Sequence, residues 1–313
     1  MTTTEGVVRA LTGSREHPTV DVERRVPMSP AAVWDALVQP DRLARWLGTI
    51  EGDVRPGVGD AFGLRLGDAV GDRADCTLLA CEPGRSITIA WRWEGEPDSV
   101  VHVTVEPSDD GSVLRLRHEL VAPQPIADYG AGWEAHLGTL ADDLAGLEPS
   151  PFALREHGTW QSLADGVLQV ERVVAAPVER VWAAFATVEG LRAWWWRHWE
   201  DTTIEADLRV GGHLRIMAPA AGIVLTGEIL VVDEAEGRLA ATWTWTDAGG
   251  TSADEAFDVR LAAEADGTRV IVRHSGPWAD EAPAASYRQG WTFVLDELAA
   301  VVGNAGSADT ASR

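Results

Sequence analysis

Apolar and polar positions alternate through Val20–Val26 (VDVERRV), and the same pattern returns at Leu168–Val174 (LQVERVV). Period two over seven residues predicts a half-buried strand in each place. A proline then opens a helical segment, Pro30 or Pro177, carrying Val33-Trp34 or Val181-Trp182. A shorter helical segment bears Leu43 and Trp46, or Leu191 and Trp194. Five or six alternating segments follow, divided by turns such as Glu82-Pro83-Gly84 and Asp109-Asp110-Gly111. Each series ends in an amphipathic helix. Tyr129, Trp133, Leu137, Leu140 and Leu144 make one stripe, and Tyr287, Trp291, Leu295, Leu298 and Val302 repeat it. The order β-α-α-(β)n-α predicts an α+β fold, a curved antiparallel sheet wrapped on its long C-terminal helix with two short helices after the first strand.

The correspondence runs the length of the chain. Val58-Gly59 pairs with Val210-Gly211, Trp91-Arg92-Trp93 with Trp243-Thr244-Trp245, and Arg117-His118 with Arg273-His274. The offset drifts from 148 to 158, so insertions fall between elements. A period near 150 residues in a chain of 313 is a domain duplication. The first domain is expected over 18–148 and the second over 166–303. Between them, 149–165 reads as a linker opened by Pro149-Ser150-Pro151 and carrying Trp160. The small, polar tail 304–313 is expected to be disordered.

Composition narrows the function. With 45% hydrophobic and 24% charged residues the chain is an ordinary globular protein. It has no apolar run of membrane-spanning length, and Met1–Glu5 does not read as a signal peptide, so the cytoplasm is the expected location. A net charge of −23 argues against nucleic acid and anionic membranes as partners. All 26 basic residues are arginine, which excludes lysine Schiff-base chemistry. Cys76 and Cys81 lie five apart in one segment, which strict alternation puts on opposite faces as buried free thiols. No phosphate loop, nucleophile elbow, HExxH or carboxylate cluster at metal spacing occurs, so neither cofactor nor metal is expected.

The ordered set of an amphipathic first strand, Pro-x-x-(x)-Val-Trp, Leu-x-x-Trp, Val-Gly-Gly, paired strand tryptophans, a strand-end His and Gly-Trp opening the last helix resembles the START-like (SRPBCC) superfamily. Within it the chain is similar to the bacterial branch named for an activator of a heat-shock-protein ATPase. The resemblance implies tandem helix-grip domains, each with a cavity between sheet and helix. Members bind lipids, sterols, polyketides or other apolar molecules, and a minority catalyse cyclisation or dehydration.

Candidate site residues follow from the pattern. Alternation puts His118 with Leu114 and Leu116, and His274 with Val270 and Val272, on the apolar face. A cavity His can act as acid, base or polar anchor; it can equally be a structural group bonded to the helix start. Tyr129 and Tyr287, on the helix stripes, can offer a phenol to a ligand or bond the His of their own domain. Trp91, Trp93, Trp243 and Trp245 are expected to line core or cavity, whereas Trp34, Trp182, Trp133 and Trp291 read as core. The run Trp194, Trp195, Trp196, Arg197, His198, Trp199 occurs only in the second copy. Consecutive residues cannot all face one core, so some of these rings are expected at a surface, pocket mouth or interface. The leading expectation is binding of an apolar, aromatic or lipid-like small molecule, with the second copy as the working half. Two alternatives remain open: a di-domain aromatase/cyclase-type enzyme using His and Tyr (His274, Tyr287, His118 or Tyr129), and a protein-interaction module docking through Trp194–Trp199.

Overall fold

The computed structural model describes residues 6–51, 56–67, 72–148, 152–278 and 281–304. The Pro149-Ser150-Pro151 joint and the tail beyond Asn304 lie outside these residues. The chain divides into two compact units, Met1–Gln161 and Ser162–Arg313.

The first unit runs β1 (Val7–Gly13), β2 (Pro18–Val26), α1 (Pro30–Val38), α2 (Pro40–Trp46), β3 (Thr49–Glu51), β4 (Ala61–Arg65), β5 (Arg73–Glu82), β6 (Ser86–Trp93), β7 (Ser99–Ser108), β8 (Gly111–Glu119) and α3 (Ile126–Leu144). Its eight strands form one antiparallel sheet in the order β1-β2-β8-β7-β6-β5-β4-β3. Helix α4 (His157–Asp165) carries the chain across the division. The second unit then runs β9 (Val167–Val174), α5 (Val178–Ala186), α6 (Val188–Trp194), β10 (Thr203–Ala206), β11 (His213–Ala218), β12 (Ile223–Asp233), β13 (Arg238–Asp247), β14 (Gly250–Thr251), β15 (Glu255–Glu264), β16 (Gly267–Ser275) and α7 (Glu281–Asn304). Its sheet order is β10-β11-β12-β13-β15-β16-β9, with the two-residue β14 paired to β13.

Each sheet grips its last helix through the predicted stripe. Trp133, Leu137, Leu140 and Leu144 are buried on α3, as are Trp291, Leu295, Leu298 and Val302 on α7. The Leu-x-x-Trp pattern has a specific task in both units. Trp46 donates its indole N–H to the Ala36 carbonyl at 2.9 Å, and Trp194 does the same to Ala184 at 3.0 Å, pinning the second short helix on the first. Outward-facing strand positions carry ion pairs, such as Arg115 with Glu23 and Arg117 with Asp21. No described helix is long and apolar enough to cross a membrane.

Four expectations change. Strand β1 precedes residue 18 and pairs along its whole length with β2. Its alternation is masked because Arg9, opposite Val22, points inward and forms a buried ion pair with Glu134 of α3. The expected linker contains α4, whose Trp160 is fully buried, lies over Gly130 and donates to Glu134 at 3.1 Å. A β-bulge between Leu78 and Ala80 adds one residue to β5, so Cys76 and Cys81 pair with Trp91 and Ile87 and share a face. Cys76 is buried, its thiol pushed up to about 12 chiefly by desolvation, but Cys81, at the strand end, is exposed. Trp34 is half-buried rather than core.

Candidate functional site

The strand-end histidines are where sheet and helix meet in each unit. Register puts His118 beside Val101 and Val20, and His274 beside Phe257 and Leu168, both with no solvent exposure. Trp133 donates to His118 Nδ1 at 2.9 Å and Trp291 to His274 Nδ1 at 3.1 Å. An accepting Nδ1 assigns the proton to Nε2 and makes both rings neutral. Burial accordingly lowers each pKa to about 3.

The units differ at the next residue. In the first, His118 Nε2 meets Ser99 Oγ at 2.8 Å, and Ser99 passes its own proton to the Trp91 carbonyl. Both nitrogens of that ring are satisfied. In the second, the place opposite Trp243 that Ser99 holds opposite Trp91 belongs to Glu255. Glu255 is buried and accepts from Tyr287 Oη at 2.8 Å, Trp278 Nε1 at 2.8 Å and Ser252 Oγ at 2.9 Å. Its Oε2 stands 3.8 Å from His274 Nε2, which has no hydrogen-bond partner. Desolvation raises the Glu255 pKa, opposed by the bonds from Trp278, Tyr287 and Ser252. Burial, and then the Glu255 charge, raises the Tyr287 pKa well above its ordinary value. Tyr129 keeps a phenol–carboxylate bond, but to Glu96 in the β6–β7 turn, at 2.5 Å.

Beside this cluster the second unit has a partly open cavity of about 670 Å³ between sheet, α7 and the segment after α6. Its walls include Trp195, Trp196, Trp199, Trp243, Trp245, Tyr287 and Trp291; His198, Gln289 and Phe293 also border it. Trp243 and Trp245 stack at 6.4 Å and 7° on the sheet side, and Trp196 meets Trp245 and Trp199 edge-on at 5.6 and 5.4 Å. The three consecutive tryptophans all turn inward, with exposures of 0, 2 and 6% for Trp194, Trp195 and Trp196. This corrects the expectation that consecutive rings must diverge. Helix α6 ends at Trp194, Trp195 is extended, and Trp196 is left-handed with φ 49°, so the backbone winds back on itself. A bulky residue at positive φ is strained, and here the turn is held by Trp199 N–H and Thr202 Oγ1, both donating to the Trp196 carbonyl, and by the Arg197–Glu297 ion pair. Trp199 is half-buried.

Of the anticipated residues, the structure brings Trp195, Trp196, Trp199, Trp243, Trp245 and Tyr287 around one cavity, with His274 behind Tyr287 at a ring separation of 4.5 Å. Trp194 packs on Phe185 and Trp195 rather than on the cavity. In the first unit Trp91, Trp93, His118 and Tyr129 form the corresponding cluster, with Trp91 and Trp93 stacked at 6.4 Å and Tyr129 edge-on to His118 at 4.6 Å. Glu255, Trp278, Ser252 and Ser99 were not anticipated. The offset relating His118 to His274 also relates Ser99 to Glu255, and that substitution was the available signal. Among the described residues, no group of three or more His, Cys, Asp and Glu is placed to hold a metal.

Two antiparallel sheets, each closed on a C-terminal helix after two short ones, define a tandem helix-grip protein of the START-like class. The chain belongs to the family described as Activator of Hsp90 ATPase homolog 1-like protein, which it matches twice, over residues 27–145 and 175–303. Among solved structures it is similar to CalU16 from Micromonospora echinospora, 32% identical over 51% of this chain and 98% of that one, with a TM-score of 0.44. Protein MLL2253 from Mesorhizobium loti is 29% identical over 41% of this chain and 96% of its own, TM-score 0.36. DynU16, a protein in the dynemicin biosynthetic locus, is 17% identical over 92% of this chain and 98% of its own, TM-score 0.38. No curated protein matches the sequence.

Proposed function

We propose that the second unit binds a flat, apolar aromatic small molecule, and that the first unit serves mainly as a folded scaffold. The observation that carries this reading is the cavity of about 670 Å³ walled by six tryptophans and Tyr287. Its size suits a fused-ring molecule, and ring stacking on indoles adds about 0.5–1.5 kcal/mol per pair beyond the area buried. Strain held at Trp196 supports a functional rather than a packing role for the turn. Where the second copy has Trp195 and Trp196, the first has Leu47 and Gly48, with far less surface to cover a guest.

The burial of both imidazoles supports binding over acid–base catalysis by histidine. His118 is bonded at both nitrogens, and His274, fully buried, does not border the cavity. Native mass spectrometry of the intact chain is expected to retain a small molecule, or to take up one equivalent of an added fused-ring aromatic. The double substitution Trp195→Ala with Trp196→Ala should weaken that uptake at least tenfold. Unchanged uptake by the double variant, or none by the natural chain, overturns the reading.

A further inference from the structure

The Tyr287 hydroxyl has one proton and two lone pairs, and what it offers a ligand depends on where that proton goes. Glu255 takes it. The carboxylate is buried, and donors converge on it: Tyr287 Oη at 2.8 Å, Trp278 Nε1 at 2.8 Å and Ser252 Oγ at 2.9 Å. Two more N–H groups nearby are donors and cannot accept the phenol proton in Glu255's place. His274 Nε2–H stands 3.8 Å from Glu255 Oε2, and the Trp243 indole N–H has no hydrogen-bond partner. A site so rich in donors keeps the carboxyl in its accepting form and the phenol proton turned toward it. Tyr287 lines the cavity, and beyond its bond to Glu255 its oxygen keeps a lone pair to offer.

We infer that the cavity selects an aromatic ligand bearing a hydroxyl, or an equivalent hydrogen-bond donor, which donates to the Tyr287 oxygen while Glu255 holds that oxygen as an acceptor. This rests on the proposed binding function and adds the chemistry of the ligand's polar edge. Glu255 is the positioning residue. The first unit, with Ser99 at that register, bonds its His instead, so the carboxylate is a feature of the second unit's site.

Titration calorimetry of the intact chain with 2-naphthol and with 2-methoxynaphthalene tests the inference, since the pair share a ring system and differ in the donor. We expect 2-naphthol to bind about tenfold tighter, the range of one buried hydrogen bond left unmet. Tyr287→Phe should bring the two affinities together by weakening 2-naphthol alone. Glu255→Ser supplies a hydroxyl at the place Ser99 occupies and frees the phenol proton, so the preference should vanish or reverse. Equal affinities in the natural chain, or a preference that survives Tyr287→Phe, overturn the inference while leaving the binding function standing. Binding of neither probe removes both.

Discussion

At the scale of single residues, Ser99 and Glu255 are the most instructive pair in the molecule. They share a register, yet one completes the hydrogen bonding of a buried imidazole and the other leaves His274 Nε2 without a partner. An unsatisfied buried N–H costs about 1–3 kcal/mol, and native folds keep such groups rarely. The second unit therefore carries a local destabilisation that the first does not, next to its cavity. Ser99→Ala imposes the same condition on His118. It should lower the stability of the first unit by about 1–3 kcal/mol, read from its urea midpoint. No change would mean that Ser99 contributes nothing to holding the ring. That both histidines face inward was legible from alternation alone, because β8 and β16 are regular over that stretch. The partners were not. Glu255 opens β15 between Asp254 and Ala256, and nothing local reveals that Tyr287 and Trp278 will meet it.

Among elements, what escaped the sequence pattern did so where one side chain or one extra residue breaks periodicity. Arg9 sits at an inward position of β1, so the strand does not read as half-apolar until Glu134 is seen across from it. The extra residue in β5 inverts the faces beyond it, and β12 shows the same irregularity between Ile229 and Val231. Trp196 needs a left-handed backbone that no rule of alternation anticipates. The regular elements, by contrast, were readable twice over, since the stripes of α3 and α7 each confirm the other. The Arg9–Glu134 pair makes a prediction about how β1 is held. Its atoms approach to 2.5 Å, and both side chains are more than nine-tenths buried. Removing one charge leaves the other uncompensated, so Arg9→Met should cost about 3–5 kcal/mol. Glu134→Gln added to Arg9→Met removes the stranded carboxylate and keeps an acceptor for Trp160, so the double variant should recover a large part of that loss. A double variant as unstable as the single one would show that the Arg9 side chain acts by packing, not charge.

For the whole molecule, duplication followed by divergence leaves two cores with different responses to acid. His118 is buried and His136 half-buried in the first unit, His274 is buried in the second, and desolvation lowers the pKa of each below the ordinary 6.5. For His118 and His274 the folded value is about 3. The sign is set by proton uptake on unfolding. Between pH 6.5 and 3 the unfolded chain protonates these rings and the folded chain does not, so stability is full above 6.5 and falls as the pH falls. From pH 7 to pH 5 a ring of this kind withdraws about 2 kcal/mol, one pKa unit being worth about 1.4 kcal/mol. That window lies above the ordinary carboxylate range, which isolates the histidines from the surface ion pairs. Glu255 works the other way: its folded pKa is raised, so it favours the folded second unit as the pH falls. The first unit combines two lowered imidazoles, one of them bonded to the Trp46 carbonyl, with no counterpart of Glu255 in its strand. It should therefore lose more stability than the second between pH 7 and pH 5, although its strand histidine is the better bonded of the two. Urea titrations of the two units at both pH values, expressed separately as 1–165 and 162–313, check this. Equal losses, or a larger loss in the second unit, would contradict it, and His118→Gln should reduce the first unit's loss by about 2 kcal/mol while leaving the part that belongs to His136.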